Sequence, residues 1–370
     1  MRPRIALVAT LVILAVSGAA QEYGKADRGQ PGDEMIQAFL AREAERIHST
    51  FLDGVKTAQE LESKRRGEVG GDGRAHGGWR DELREMLSLP EVDSSSPLHV
   101  AVTGRRVRGG AVVENLHYQS LPGLYVTANL YRPEEPPEGQ RLPAVLYVCG
   151  HASRGRNGNK TAYQSHGLWF ARHGYVCLML DSLQLGEIGG THHGTYRENR
   201  WWWHSAGYTP AGVECLNGMR GIDLLIARAD VDPERIAVTG ISGGGAATIW
   251  IAAADERVAC AAAVSGMADL PSYVGNRVIN GHCDCMFLYN SRRWPWARIA
   301  AMIAPRPLLF VNSDADPIFP MDANDRVIQR LERVWSLQCQ RLCLPTAGGH
   351  CSHSSFSTNV RSNFDPFSSC

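Results

Sequence analysis

Arg235-Ile236-Ala237-Val238-Thr239-Gly240-Ile241-Ser242-Gly243-Gly244 runs through Gly245 into Ala246-Ala247-Thr248-Ile249-Trp250-Ile251-Ala252-Ala253-Ala254. The first five residues read as a short β-branched strand, and the last nine as a buried, Ala-rich helix. Between them Gly240-Ile241-Ser242-Gly243-Gly244 fits G-x-S-x-G, the nucleophile elbow. Strand, Gly-flanked Ser, helix is the context that this pattern requires. A sharp turn there forces the Ser into a strained backbone conformation, and small neighbours leave room for it. The helix start then aims its free N–H groups at the reaction centre.

Working outward, continuous apolar runs recur on both sides. Pro143 to Cys149, Tyr175 to Leu180, Arg235 to Thr239, Val258 to Val264 and Pro307 to Asn312 read as buried strands. A helix is expected over Tyr163 to His173. Ahead of these, His99 to Thr103, Val112 to Ser120 and Leu124 to Tyr131 alternate and are separated by turn signals, as in antiparallel strands. Apolar strands alternating with helices predict an α/β fold whose mostly parallel central sheet is covered on both faces.

Residues 21–96 are polar, with amphipathic stretches starting at Met35-Ile36-Phe39-Leu40 and at Trp79 to Leu87. Gly67 to Gly78 between them reads as a Gly-rich loop. This part is expected to be a helical extension packed on a main domain at 97–370. Residues 1–20 have the three regions of a secretory signal: Met-Arg-Pro-Arg, an apolar run from Ile5 to Val16, then Ser17-Gly18-Ala19-Ala20. A secreted or periplasmic protein with no membrane span after signal removal is therefore expected.

The 370 residues carry 38 basic and 38 acidic side chains, so no basic field favours nucleic acid. A neutral substrate or an uncharged polymer fits better. Of ten Cys, Cys149 and Cys177 fall in core strands as buried thiols. Cys215, Cys283 and Cys285 fall in loop-like segments and can pair; Cys339, Cys343, Cys351 and Cys370 crowd the end. His282-Cys283-Asp284-Cys285 has metal-ligating residue types, but no second ligand pair follows at a usual spacing. No metal and no cofactor are expected. Arg220 and Asp223 read as a structural ion pair at i, i+3, and Asp181 and Glu187 as loop-fixing carboxylates.

Several segments together resemble the acetyl xylan esterase branch of the α/β-hydrolases, as found among secreted bacterial esterases. They are Leu121 to Pro133, Gly150-His151, Gly207 to Glu214, Val231 to Ile236 running into the elbow, Gly281 to Cys285 and Ala304 to Leu309. The likeness spans about Trp79 to His350. It implies an α/β-hydrolase fold and a Ser, Asp, His order along the chain. Ser242 is then the nucleophile. Ser313-Asp314-Ala315-Asp316-Pro317-Ile318-Phe319-Pro320 resembles the family's acid loop, which puts the acid at Asp316, with Asp314 the competitor. Ala347-Gly348-Gly349-His350 resembles the family's Gly-Gly-His arrangement after a last strand at Gln340 to Pro345. That gives His350 as the base, with His353 the alternative. The oxyanion donors expected are the backbone N–H groups of Gly243 and His151. Trp201-Trp202-Trp203 lie in the insertion from Ser182 to Thr209, where indoles either line the substrate site or anchor the loop. The tail 351–370 departs from the family: it is Ser/Cys/Phe/Asn-rich, without helical period.

The expected activity is a secreted serine esterase removing acetyl or similar short acyl groups, with an acylated carbohydrate such as xylan or a small ester as substrate. The competing readings are a prolyl-oligopeptidase-like peptidase, against which the lack of a propeller-length N-terminal domain weighs, and a non-catalytic binding protein of the same fold. Oligomeric state, disulfide pairing and the polymer itself are not legible in the sequence.

Overall fold

The computed structural model describes residues 30–338, apart from 70–74, 94, 153, 154, 157, 193, 196 and 197. The expected leader, the expected strand at 340–345, His350, His353 and the tail lie outside the described residues. No described helix is long and apolar enough to cross a membrane.

Among the described residues, eight strands form one mixed sheet: β3 (Ala101–Arg108), β4 (Ala111–Leu121), β5 (Leu124–Pro133), β6 (Leu142–Val148), β7 (Val176–Leu180), β8 (Val231–Ile241), β9 (Cys260–Val264) and β10 (Leu308–Val311). Their spatial order is β10-β9-β8-β6-β7-β5-β4-β3. The five strands from β6 to β10 pair in parallel, and β3, β4 and β5 add an antiparallel flank joined through β5 to β7. These are the eight strands that the sequence pattern gives. Every residue of β7 is buried, as its unbroken Val-Cys-Leu-Met-Leu run requires of a strand covered on both faces. The outer strand β3 is mostly exposed and carries Arg105, Arg106 and Arg108, charges that keep an open edge from pairing with another chain.

Helices α4 (Gln164–Arg172), α6 (Pro210–Ile226), α7 (Gly243–Ala254), α8 (Trp296–Ala301) and α9 (Met321–Leu337) accompany the sheet, with a single turn α5 (Trp202–Ser205) in the insertion. All twelve residues of α7 are buried, so this helix has no solvent face to make polar. The α/β-hydrolase fold expected from the resemblance is present.

Two expectations change. Cys215 is not in a loop: it is buried in α6 with a free thiol. Pro210 and three glycines make that stretch look loop-like, but the glycines serve close packing. A Cβ on Gly212 would come within 1.8 Å of the Leu87 carbonyl oxygen, and one on Gly218 within 2.2 Å of Ile251. The Gly-rich 67–78 segment contains a two-stranded hairpin, β1 (Gly67–Val69) with β2 (Ala75–Gly77), rather than loop alone.

The N-terminal helices α1 (Pro31–Ser49), α2 (Ala58–Arg66) and α3 (Trp79–Met86) share the main core through Phe51, Leu52, Leu61, Trp79, Leu83 and Met86. In α1 the buried residues are Ala44 and His48, whereas Met35, Ile36, Phe39 and Leu40 are exposed. The helix buries side chains only in its second half, and its first half is tethered by Gln37 Nε2, which donates to the Val274 carbonyl at 2.6 Å.

Candidate active site

Ser242 sits between β8 and α7 at φ 57° and ψ −122°. A non-Gly residue there carries roughly 1–3 kcal/mol of backbone strain. Its amide donates to the Val264 carbonyl (2.9 Å) and its own carbonyl accepts from the Ala246 amide (3.0 Å). The main chain is thus tied to sheet and helix, while the side chain does not cap the helix. The flanking glycines have a steric cause. A Cβ on Gly240 or on Gly244 would lie 2.2 Å from the Val148 carbonyl oxygen, and one on Gly245 would lie 2.4 Å from that of Val264. Helix α7 can begin this close to the sheet only without side chains at these positions.

The loop after β10 presents two carboxylates of opposite character. Asp314 is exposed, whereas Asp316 is buried. Asp316 Oδ1 accepts from the amides of Ile318 (3.0 Å) and Phe319 (3.1 Å), which fixes the carboxylate in place. The same loop is gripped from outside. Buried His282 lies 2.8 Å by Nε2 from the Ile318 carbonyl, which can only accept, so Nε2 carries the proton. Burial holds the His282 imidazole below its usual range. A Cβ on Gly281 would meet Ile318 Cγ2 at 2.6 Å.

His151 follows β6, in the loop that faces the start of α7. A Cβ on Gly243 would lie 2.4 Å from His151 Nε2, so the imidazole lies directly over the residue after Ser242. The loop is held by Asn159, which is fully buried at φ 51°. Its Nδ2 donates to the Gly150 carbonyl (3.0 Å) and its amide donates to that of Ala152 (3.1 Å). Ser182 Oγ donates to the Cys149 carbonyl at 2.8 Å.

Against the other side of His151 stand two buried thiols and a second imidazole. Cys283 Sγ is 3.3 Å from His151 Nδ1 and 2.8 Å from Cys285 Sγ. Cys285 Sγ is 3.4 Å from His151 Nε2 and 3.8 Å from His192 Nε2. One donor atom from each of these four residues lies within 4.8 Å of the others, a set with the composition and crowding of a metal-ligand cluster. His192 Nδ1 lies 3.0 Å from the Leu183 carbonyl, so it carries the proton and leaves Nε2 as the lone-pair nitrogen. Burial opposes ionisation of the Cys283 thiol, yet hydrogen bonding from Cys285 and the field of His151 hold it well below the usual thiol value.

The insertion after β7 is anchored at its start. Asp181 binds the Thr127 hydroxyl (2.7 Å), the Lys160 amide and the Lys160 ammonium, and Lys160 Nζ also meets Glu187 at 2.7 Å. These are the loop-fixing roles read from the sequence, and Arg220 and Asp223 form the expected ion pair. Trp201 lines an open cleft of about 280 Å³ with Thr195, His204, Ile279, Phe287 and Tyr289. Trp202 is exposed, with the Arg200 guanidinium 5.4 Å from its ring. Trp203 is partly buried and does not line the cleft.

The structure therefore brings Ser242, Gly243 and His151 together and buries Asp316. Trp201 alone of the three indoles faces the cleft. Sequence reasoning named His282 only as a metal-ligating residue type and missed its grip on the Asp316 loop. It missed His192 altogether, which carried no signal in a Gly- and His-rich loop.

Comparison with known proteins gives a consistent picture. The model of the prolyl oligopeptidase family matches residues 162–359, a little over half of the chain. YtaP of Bacillus subtilis (strain 168), which bears a hydrolase name, is 26% identical over 144 residues, 38% of this chain and 48% of YtaP. The chain thus spans about half the length of that curated relative. Among solved structures, the BF1801 protein of Bacteroides fragilis, described as an acetyl xylan esterase, superposes with a TM-score of 0.64 at 14% identity, covering 90% of this chain and 86% of that one. A glucuronoyl esterase from Solibacter usitatus gives 0.56 at 16% identity, covering 78% and 84%.

Proposed function

This chain belongs to the prolyl oligopeptidase family of α/β-hydrolases, and from that premise we propose that it is a serine esterase. Its reaction is hydrolysis of short acyl esters, chiefly acetyl, on carbohydrate such as xylan. The observation that carries this reading is Ser242 at φ 57°, a strained backbone at the head of the fully buried α7. The esterase names of the solved relatives support the choice of ester over amide, and the resemblance of Leu121 to Pro133 and Gly281 to Cys285 supports acetyl.

In this mechanism Ser242 Oγ attacks the acyl carbonyl while His350 accepts its proton. Asp316 holds the imidazole in the useful tautomer and stabilises the imidazolium. The oxyanion lies against the backbone N–H groups of Gly243 and His151; losing one such donor typically costs about 100- to 1000-fold in rate. His350 returns the proton to the leaving alcohol, and water then releases the acyl group by the same steps in reverse roles. We place the protein outside the cytoplasm, secreted or periplasmic, on the form of residues 1–20, and give it an uncharged acylated carbohydrate as partner rather than nucleic acid.

A peptidase is the second reading, favoured by the family's name. The test is a panel of p-nitrophenyl acetate, acetylated xylan and peptide amides, run beside labelling with a fluorophosphonate. Ester turnover and labelling, both abolished in folded Ser242→Ala, are expected. Faster cleavage of the peptide amides would transfer the proposal to the peptidase reading. A folded wild-type chain that neither labels nor turns over any substrate would leave a binding protein.

A further inference from the structure

We infer that His151, His192, Cys283 and Cys285 form a tetrahedral site for a thiophilic divalent cation, zinc foremost, that clasps three loops beside Ser242. This inference is independent of the esterase reading. The Cys-x-Cys pair lacks a partner pair at any short spacing, and the fold supplies that pair from distant loops. His151 comes from the loop after β6, and His192 comes from the insertion after β7. Zinc with bonds of about 2.3 Å to sulfur and about 2.0–2.1 Å to nitrogen separates its ligand atoms by roughly 3.3–3.8 Å. With His151 Nε2 as the ligand atom, the nitrogen–sulfur distances of 3.4 Å and 3.8 Å to Cys285 fall in that range, and the 4.0 Å to Cys283 is a few tenths of an ångström beyond it. At 2.8 Å the two sulfurs are closer than tetrahedral ligands but well beyond the roughly 2.05 Å of a disulfide.

The surroundings are those of a metal site. Both thiols are buried, at 3% and 2% exposure. Ligating His residues normally commit their second nitrogen to a fixed acceptor. His192 does so, with Nδ1 on the Leu183 carbonyl, and the amide of Leu183 is held in turn by buried Glu214 at 3.0 Å. Asp284, between the two cysteines, accepts from the Thr195 amide at 2.6 Å and so locks the His192 loop to the Cys loop. Four protein ligands fill a tetrahedral zinc, so the ion is structural and not a Lewis acid for the substrate. Its consequence is positional. It fixes the His151 ring over Gly243, and through Gly281 and His282 the same motif grips the loop of Asp316.

The test uses the full chain, reduced, equilibrated with Zn²⁺ and desalted, with metal measured by mass spectrometry. Cobalt(II) is loaded in parallel. The expected result is one tightly retained zinc per chain, and for cobalt the strong visible bands of tetrahedral Co²⁺ with thiolate-to-cobalt charge transfer. Retention should persist in Cys215→Ala and be lost in folded Cys283→Ser/Cys285→Ser and His192→Ala. Wild-type protein that is folded yet retains no zinc and shows no thiolate–cobalt band overturns the inference, whatever the variants do. So does retention that survives in the folded double-Ser variant, or a Cys283–Cys285 disulfide found by peptide mapping in the protein as naturally exported.

Discussion

Gly240 and Gly243 flank the same serine, yet they are glycine for different reasons. A methyl group at Gly240 meets backbone, the Val148 carbonyl at 2.2 Å and Gly244 at 2.7 Å, neither of which can move without shifting β6 or α7. A methyl group at Gly243 meets the ring of a side chain, His151, at 2.4 Å. Gly240→Ala should therefore cost about 1–3 kcal/mol of stability or more, as overpacking does. In metal-free protein, where the His151 ring is not clasped, Gly243→Ala should leave the thermal midpoint nearly unchanged. It should lower kcat/KM on p-nitrophenyl acetate by about 100-fold, the scale on which an ångström of misplacement acts. Thermal unfolding and ester kinetics on both variants separate the two. Equal loss of stability in both would show that the His151 loop is no freer to move than the sheet.

At the scale of elements, α1 is tied to the main core by a histidine whose charge is excluded. Burial, helped by the cation of Arg330, lowers the His48 pKa from 6.5 to about 4, with the Asp269 carboxylate 3.8 Å from Nε2 pulling the other way. Arg326 also faces it, itself paired with Asp269. The folded state thus resists a proton that the unfolded chain accepts below pH 6.5. Stability contributed by neutral His48 is full above pH 6.5 and is lost as the pH falls toward 4. The loss is at most about 3.5 kcal/mol, since each pKa unit is worth about 1.4 kcal/mol. Urea unfolding at steps from pH 7 to pH 4 should show this decline, and His48→Gln should flatten it. An unchanged slope in that variant would place the titration elsewhere.

For the molecule as a whole, loops at the carboxyl ends of the parallel strands surround Ser242, the place where open α/β sheets generally bind ligands. The insertion after β7 contributes both His192 to the four-residue cluster and Trp201 to the cleft, and Asp284 touches both. If acyl length is limited by this wall, acetyl esters should outpace butyryl and octanoyl esters in the parent. Trp201→Ala should narrow that gap, and Trp202→Ala, whose indole faces Arg200 and solvent, should leave it unchanged. Comparison of kcat/KM across the three esters checks both halves. An octanoyl preference in the parent would defeat the short-acyl reading, and equal effects of the two indoles would detach the cleft from selectivity.

The sheet was legible because its code is local. Runs such as Val176 to Leu180 are unbroken by charge, and a strand buried on both faces admits no other composition. The elbow was legible for the same reason: Ser242 and its glycines lie within one short stretch, and steric clash with Val148 and Val264 dictates the size of Gly240, Gly244 and Gly245. Asp316 was preferred to Asp314 from its place in a short pattern, whereas only the fold shows that Asp316 is buried on the amides of Ile318 and Phe319 while Asp314 is exposed. Tertiary structure decided everything built from distant pieces. His151 and His192 lie far from Cys283 and Cys285 along the chain, so no spacing rule could join them. Cys215 looked loop-bound because small residues signal turns in sequence and close packing in space. The exposed face of Met35, Ile36, Phe39 and Leu40 shows the same limit, since periodicity marks an apolar stripe but only the fold decides what covers it.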